Sequence, residues 1–200
     1  MGAHVQGAGI GTIVIKGVDS LKGVRHEVIP DRIEVATYMV AAAITQGDVV
    51  ITNAIPEHVE PVIAKLRETG TEVTVNGDRI RVQGRGRLKA VNIKTLPYPG
   101  FPTDVQPQMM TLLTTAYGAG MITETIFENR FKHAGELMRM GADITLEGRV
   151  ALVKGVPKLS GALVEATDLR AGVALVLAGL IAEGITVVEN IFHIVRGYEG

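Results

Sequence analysis

The sequence predicts an α/β (α+β) protein assembled by internal repetition, with apolar helices on the inside and small sheets on the outside. Three observations carry this reading. An acidic residue is followed by a glycine 16 positions later three times, at Asp31 and Gly47, Asp104 and Gly120, and Asp168 and Gly184. The segments between them, such as VATYMVAAAIT, VQPQMMTLLTTAY and LRAGVALVLAGLIAE, are apolar around their whole circumference, whereas a surface helix shows one apolar stripe and a charged face. After each glycine comes a β-branched run of strand character, over residues 48–54, 121–127 and 185–192.

Taken in order, residues 1–10 are glycine-rich and read as a linker or edge segment. Residues 12–30 read as a β-hairpin that feeds the first helix. Asp31 then stands where an N-cap accepts hydrogen bonds from the free amides of a first turn, and Gly47 where a helix of about four turns needs a left-handed residue to end. The strand at 48–54 leads into PEHVEPVIAKLRETG, an amphipathic helix closed by Gly70.

The middle copy begins with DRIRVQGRGRLKAVNIKTLPYPGFP, whose tail from Leu96 to Pro102 holds three prolines and cannot be a central strand. It reads as a loop that delivers Asp104 to the head of its helix, with Thr103 as an alternative cap. ENRFKHAGELMRMG is its amphipathic helix, closed by Gly141. In the third copy KGVPKLSG (154–161) repeats KGVDSLKG (16–23) at five of eight positions, which places a hairpin there as in the first. The copies run over 11–70, 79–141 and 150–200, within one domain over 11–200, and the last stops where its amphipathic helix should start. Units this small must share one core. Periodicity alone leaves a layered alternative open.

Composition narrows the function. The 200 residues are 46% hydrophobic and 20% charged, enough for a packed body. A formal net charge of −1 argues against a phosphate-backbone binder, so no nucleic-acid partner is expected. The apolar runs are shorter than a membrane span, no membrane partner is expected, and the reading is cytoplasmic. There is no cysteine, which removes thiolate chemistry from this chain, and the five histidines show no metal-binding spacing. No metal and no cofactor are expected.

If the repeated helices point the same way, their N-termini converge and favour an anion. Asp104, Asp168, Arg170 and Arg32 lie on those first turns. ETIFENRFKH (124–133) runs out of a strand at the same edge, and its bland reading makes Phe127 and Phe131 core plugs with Arg130 paired to Glu128 or Glu124. Arg196, beside a glycine at the third strand exit, suits a carboxylate or phosphate; its bland reading is a surface arginine.

The motifs IPDRIE, PYPGFPTDVQPQ, ITETIFENRFKH, RMGAD, KLSGA, ATDLRAG, LVLAGLIAEG and HIVRGYE together resemble the bacterial UDP-N-acetylglucosamine enolpyruvyl transferases, over essentially the whole chain. The resemblance implies an inside-out α/β barrel domain of three repeats, one of two with the active site between them. It implies an enzyme that moves the enolpyruvyl group of phosphoenolpyruvate to the 3-hydroxyl of UDP-N-acetylglucosamine, the first committed step of peptidoglycan synthesis. Asp104 in FPTD would be the carboxylate at the sugar 3-hydroxyl and the general base. Ile126 and Phe127 would contact the UDP-sugar, with Arg130 bordering it. Asp168 and Arg170 would lie near phosphoenolpyruvate, and Arg196 would bind it and move with domain closure.

The family's cysteine, and the lysine and asparagine near its N-terminus, have no counterpart here. The chain matches the second domain, so it is expected to be inactive alone, and turnover of phosphoenolpyruvate by the 200 residues would reject that. The truncated repeat is expected to leave core uncovered, so that two copies pair, swap elements or are marginally stable. Two other readings are a non-catalytic UDP-sugar-binding half-protein, which the missing cysteine favours, and the shikimate-pathway enolpyruvyl transferase, which shares fold and chemistry.

Overall fold

The computed structural model describes residues 1–198. Residues 1–30 form an arm exposed along almost its whole length. In it β1 (His4–Gln6) pairs antiparallel with β2 (Val14–Lys16). The hairpin expected over 12–30 therefore takes its first strand from the glycine-rich start, and nothing regular forms over 17–30. The GAGIG segment is its turn: Gly7 has φ +81°, and a Cβ there would sit 2.1 Å from the carbonyl oxygen of Thr12.

The body begins with α1 (Arg32–Ile44) and β3 (Asp48–Ile51), then a 3-10 turn at Pro56–His58 and α2 (Glu60–Glu68). It continues through β4 (Glu72–Asn76), β5 (Arg79–Gln83), β6 (Ile93–Lys94), a 3-10 turn at Thr103–Val105, α3 (Gln106–Thr114), β7 (Ala119–Thr123) and α4 (Lys132–Arg139). The last part holds β8 (Asp143–Glu147), β9 (Val150–Lys154), β10 (Leu163–Glu165), α5 (Leu169–Ile181), β11 (Val187–Glu189) and a 3-10 turn at Ile191–His193. The strands after the buried helices are shorter than the β-branched runs that signalled them.

Each of α1, α3 and α5 is followed by a strand, β3, β7 and β11, and the sheet pairings of the three overlap only in part. β3 pairs with β5 in the order β3-β5-β4, and β7 pairs with β9 in the order β6-β7-β9-β8. β11 pairs in parallel with β10, as β7 does with β6. The amphipathic helices α2 and α4 bury one face each, through Val62, Ile63 and Leu66 and through His133, Ala134 and Leu137. Both are closed by a left-handed glycine, Gly70 and Gly141, at φ +94°.

All nine residues of α3 are buried, which explains a helix with no polar face. α3 packs on α5 and α1, and one apolar cluster runs from α1 through α3 to α5. Its few polar groups are bonded locally where the packing allows. Thr114 Oγ1 donates to the carbonyl of Thr111 at 2.7 Å. Thr37 Oγ1 on α1 donates to the carbonyl of Ile33, accepts from Gln108 Nε2 on α3 at 3.0 Å, and meets the Tyr198 hydroxyl at 2.8 Å.

The caps depart from the repeat in two ways. Asp31 and Asp168 cap α1 and α5, accepting from the amides of Ile33, and of Arg170 and Ala171. Asp104 caps nothing, nor does Thr103, and α3 starts without a side-chain cap. Of the three glycines only Gly184 is left-handed. Gln46 and Gly118 take that conformation in the other copies. Gly120 lies inside β7, where a Cβ would sit 2.5 Å from the carbonyl oxygen of Val91, so close approach rather than chirality demands glycine.

The three buried helices run the same way. A cleft of about 410 Å³ is lined by the C-terminal ends of all three, including Thr45, Thr115 and Ile181. Across its floor Arg87 donates to four carbonyls, of Thr115 at 3.0 Å, Ala116 at 3.2 Å, Gly155 at 3.3 Å and Val156 at 3.2 Å. A guanidinium suits this place because the carbonyl ends of helices carry partial negative charge. The N-termini, with Arg32, Asp104 and Arg170, therefore gather at the opposite end. Among the described residues no helix is long and apolar enough to cross a membrane.

Candidate functional site

At the N-terminal end of the helices the chain brings four of the expected residues together. The loop after β6 folds on itself, with Leu96 N–H donating to the Phe101 carbonyl at 2.9 Å, and sets Asp104 in the 3-10 turn ahead of α3. Arg130 reaches it from the segment between β7 and α4, Nη2 to Oδ1 at 2.7 Å. Arg170, in the first turn of α5, stands 3.5 Å from Oδ2. Asp168 lies two residues before it, held by its capping bonds. Glu128 pairs with Arg149 instead, so Arg130 has neither of the local partners that its bland reading gave it.

The charge balance follows from this geometry. Two guanidinium groups face one carboxylate at the uncapped N-terminus of α3, where free backbone donors remain, and Asp168 at the start of α5 balances the second guanidinium. The Asp104 side chain is 37% exposed, whereas those of Arg130 and Arg170 are 20% and 17% exposed. Oδ1 is committed to Arg130. Oδ2, with only a long contact, keeps capacity to accept a hydrogen bond from an incoming hydroxyl.

Ile126 and Phe127 flank this cluster and are not core plugs. They are 38% and 47% exposed, and the Arg130 guanidinium lies 5.0 Å from the centre of the Phe127 ring. Phe131 does fill the core. A cleft of about 250 Å³ runs beside Asp104 and Ile126, walled by Arg32, Tyr98 and Pro102. Arg32 lies 5.7 Å from the Tyr98 ring centre. Arg196 is exposed in the turn after the last 3-10 segment, whose Gly197 abuts Leu169 at the start of α5. No bond joins it to Asp104 among the described residues.

Two groups have roles that the sequence reading did not assign. Glu124 is buried, and its carboxylate links the Asp104 turn to Ile126 and Phe127. His133 on α4 is buried with Nε2 unpartnered. Burial lowers its pKa to about 4, the nearby Asp168 charge opposing and Arg130 adding to the effect. The unfolded imidazole titrates near 6.5, so between about 6.5 and 4 the unfolded chain binds a proton that the folded chain refuses. Stability therefore falls as pH drops through that window and flattens below it, by about 3 kcal/mol at most. In denaturant titrations from pH 7 to 4, His133→Gln is expected to lose stability less steeply than the parent. Parallel curves would reject this account.

The comparisons with known proteins come to the same place. The family model described as EPSP synthase (3-phosphoshikimate 1-carboxyvinyltransferase) matches residues 1–200. UDP-N-acetylglucosamine 1-carboxyvinyltransferase 1 of Carboxydothermus hydrogenoformans is 60% identical over 199 residues, covering 100% of this chain and 47% of its own length. UDP-N-acetylglucosamine 1-carboxyvinyltransferase of Desulfofundulus thermocisternus is 62% identical, covering 99% of this chain and 82% of its own. The chain thus spans about half the length of the first of these relatives and most of the second. The crystal structure of the enolpyruvyl transferase NikO from Streptomyces tendae superposes with a TM-score of 0.84 at 32% identity, over 98% of this chain and 48% of that one.

Proposed function

Because the chain belongs to the enolpyruvyl transferase family of the EPSP synthase model, on its UDP-N-acetylglucosamine 1-carboxyvinyltransferase side, we propose that it serves that reaction in peptidoglycan synthesis. The enolpyruvyl group of phosphoenolpyruvate passes to the 3-hydroxyl of UDP-N-acetylglucosamine and phosphate leaves. The observation that supports it most is the convergence of Arg130 and Arg170 on Asp104 at one end of the buried helices. A base must sit within reach of the proton that it removes, and anionic groups need cations beside it.

In this reading Oδ2 of Asp104 accepts the proton of the sugar 3-hydroxyl. The oxygen bonds to C2 of phosphoenolpyruvate, C3 gains a proton and later loses one, and the bond from C2 to the phosphate oxygen breaks. Arg170 and Arg196 hold the phosphate and carboxylate, Asp168 fixes the start of α5, and Ile126, Phe127 and Arg130 line the sugar side. The cysteine to which the resemblance assigns the proton at C3 has no counterpart in this chain. We read the fold as an inside-out barrel of three repeats over 11–70, 79–141 and 150–200, and the setting as the cytoplasm. The exposed Leu163, Ile185, Val187 and Phe192 would support pairing of two copies, which sedimentation at rising concentration tests.

Thermal unfolding with and without millimolar UDP-N-acetylglucosamine tests the assignment. Ligand at about 100 times Kd adds about 2.7 kcal/mol, a rise of roughly 5–10 °C for a chain of this size. An unchanged midpoint would reject the claim that this chain holds the sugar by itself.

A further inference from the structure

Glu124 is 1% exposed and has no cationic partner among the described residues. Its carboxylate instead collects four uncharged donors. Oε1 accepts from Thr95 Oγ1 at 2.8 Å, from the Ile126 amide at 2.8 Å and from the Phe127 amide at 3.2 Å. Oε2 accepts from Thr103 Oγ1 at 2.8 Å. The end of β6, the turn that carries Asp104 and the turn after β7 all meet on this one group. Thr95 strengthens the knot, since its hydroxyl also accepts from the Thr125 amide at 2.8 Å and its carbonyl accepts from Thr125 Oγ1 at 2.6 Å.

Burying a carboxylate without a cation is costly, and the expense is offset only when its lone pairs are filled. An ionised carboxylate is acceptor-only, with about four sites, and four donors converge here. A glutamine could keep its oxygen on the three donors at Oε1 and turn its NH2 to the Thr103 hydroxyl, which can accept, whereas a methionine of similar length leaves all four donors unmet. A purely structural link would not need a charge, and this one joins the two segments that flank the cleft beside Asp104.

We propose that Glu124 is a positioning residue that fixes the separation of Asp104 from the Ile126–Phe127 backbone, and so the grip on the acceptor sugar. The sugar part rests on the function proposed above. The link itself does not.

Amide hydrogen exchange and calorimetric titration with UDP-N-acetylglucosamine separate the two. Glu124→Met, which removes every acceptor, is expected to speed exchange at Ile126 and Phe127 by about tenfold or more while the α3 amides keep their protection. Thr103→Val cuts the link to the Asp104 turn alone. It is expected to leave exchange at Ile126 and Phe127 unchanged and to weaken sugar binding by about tenfold, and Thr103→Ser is expected to restore it. Unchanged exchange in Glu124→Met, or parental affinity in Thr103→Val, overturns the proposal. A parent that does not bind the nucleotide sugar overturns its sugar part and the substrate assignment together, while the exchange data still decide the link.

Discussion

Asp104→Ala is expected to abolish the rise in melting temperature predicted for UDP-N-acetylglucosamine, and to lower the melting temperature of the unliganded chain. The two effects have different causes. The first removes the carboxylate proposed to accept the sugar hydroxyl. The second leaves Arg130 and Arg170, both largely buried, facing each other without the carboxylate that bridges them. Breaking a fully buried pair costs about 3–5 kcal/mol. Asp104 is 37% exposed and the contact to Arg170 is 3.5 Å long, so solvent screening reduces the expectation to about 1–2 kcal/mol. Differential scanning fluorimetry reads both effects. A ligand-induced shift that survives the substitution would remove Asp104 from the sugar site.

The largest loss of stability is expected from a substitution far from that site. Gly155→Ala would place a Cβ 1.6 Å from the carbonyl oxygen of Ala116 and 2.7 Å from its carbonyl carbon. Both are backbone atoms, so no side chain can rotate away. The strand end must withdraw instead, and it carries with it the Gly155 and Val156 carbonyls that Arg87 holds. Overpacking of a core typically costs about 1–3 kcal/mol, and here a lost part of the clamp adds to it. The variant is expected to lose more than about 4 kcal/mol, at the diagnostic end of single substitutions. A melting temperature within a few degrees of the parent would show that β9 yields easily.

Much of the fold was legible because its signals are local. A cap needs only its own next three residues, and Asp31 and Asp168 behave as the spacing implied. The amphipathic stripes of α2 and α4 and their closing glycines are likewise written within one turn or two. Asp104 shares the same spacing, yet its partners lie 26 and 66 residues away, where no local rule reaches. The left-handed residues Gln46 and Gly118 were missed because a repeated glycine looked like the stop, whereas at Gly120 it answers the segment ahead of β6. Glu124 was visible only as a partner for an arginine. Nothing in the sequence signals a buried carboxylate satisfied by hydroxyls and amides. The resemblance named Ile126, Phe127 and Arg130, and the structure groups them around Asp104. It leaves Arg196 exposed on its own turn.

The hydroxyl of Thr37 has one proton, given to the carbonyl of Ile33, so the Tyr198 hydroxyl and the Gln108 amide must both be donors to it. Tyr198 stands 161 residues after Thr37. A ribosome adding about 5–20 residues per second needs roughly ten to thirty seconds to deliver it. For much of that interval α1 lacks α3 and then α5, the helices it packs against, because they are still being made. The apolar surface of α1 is thus open to non-native contacts until the far end of this domain has been made.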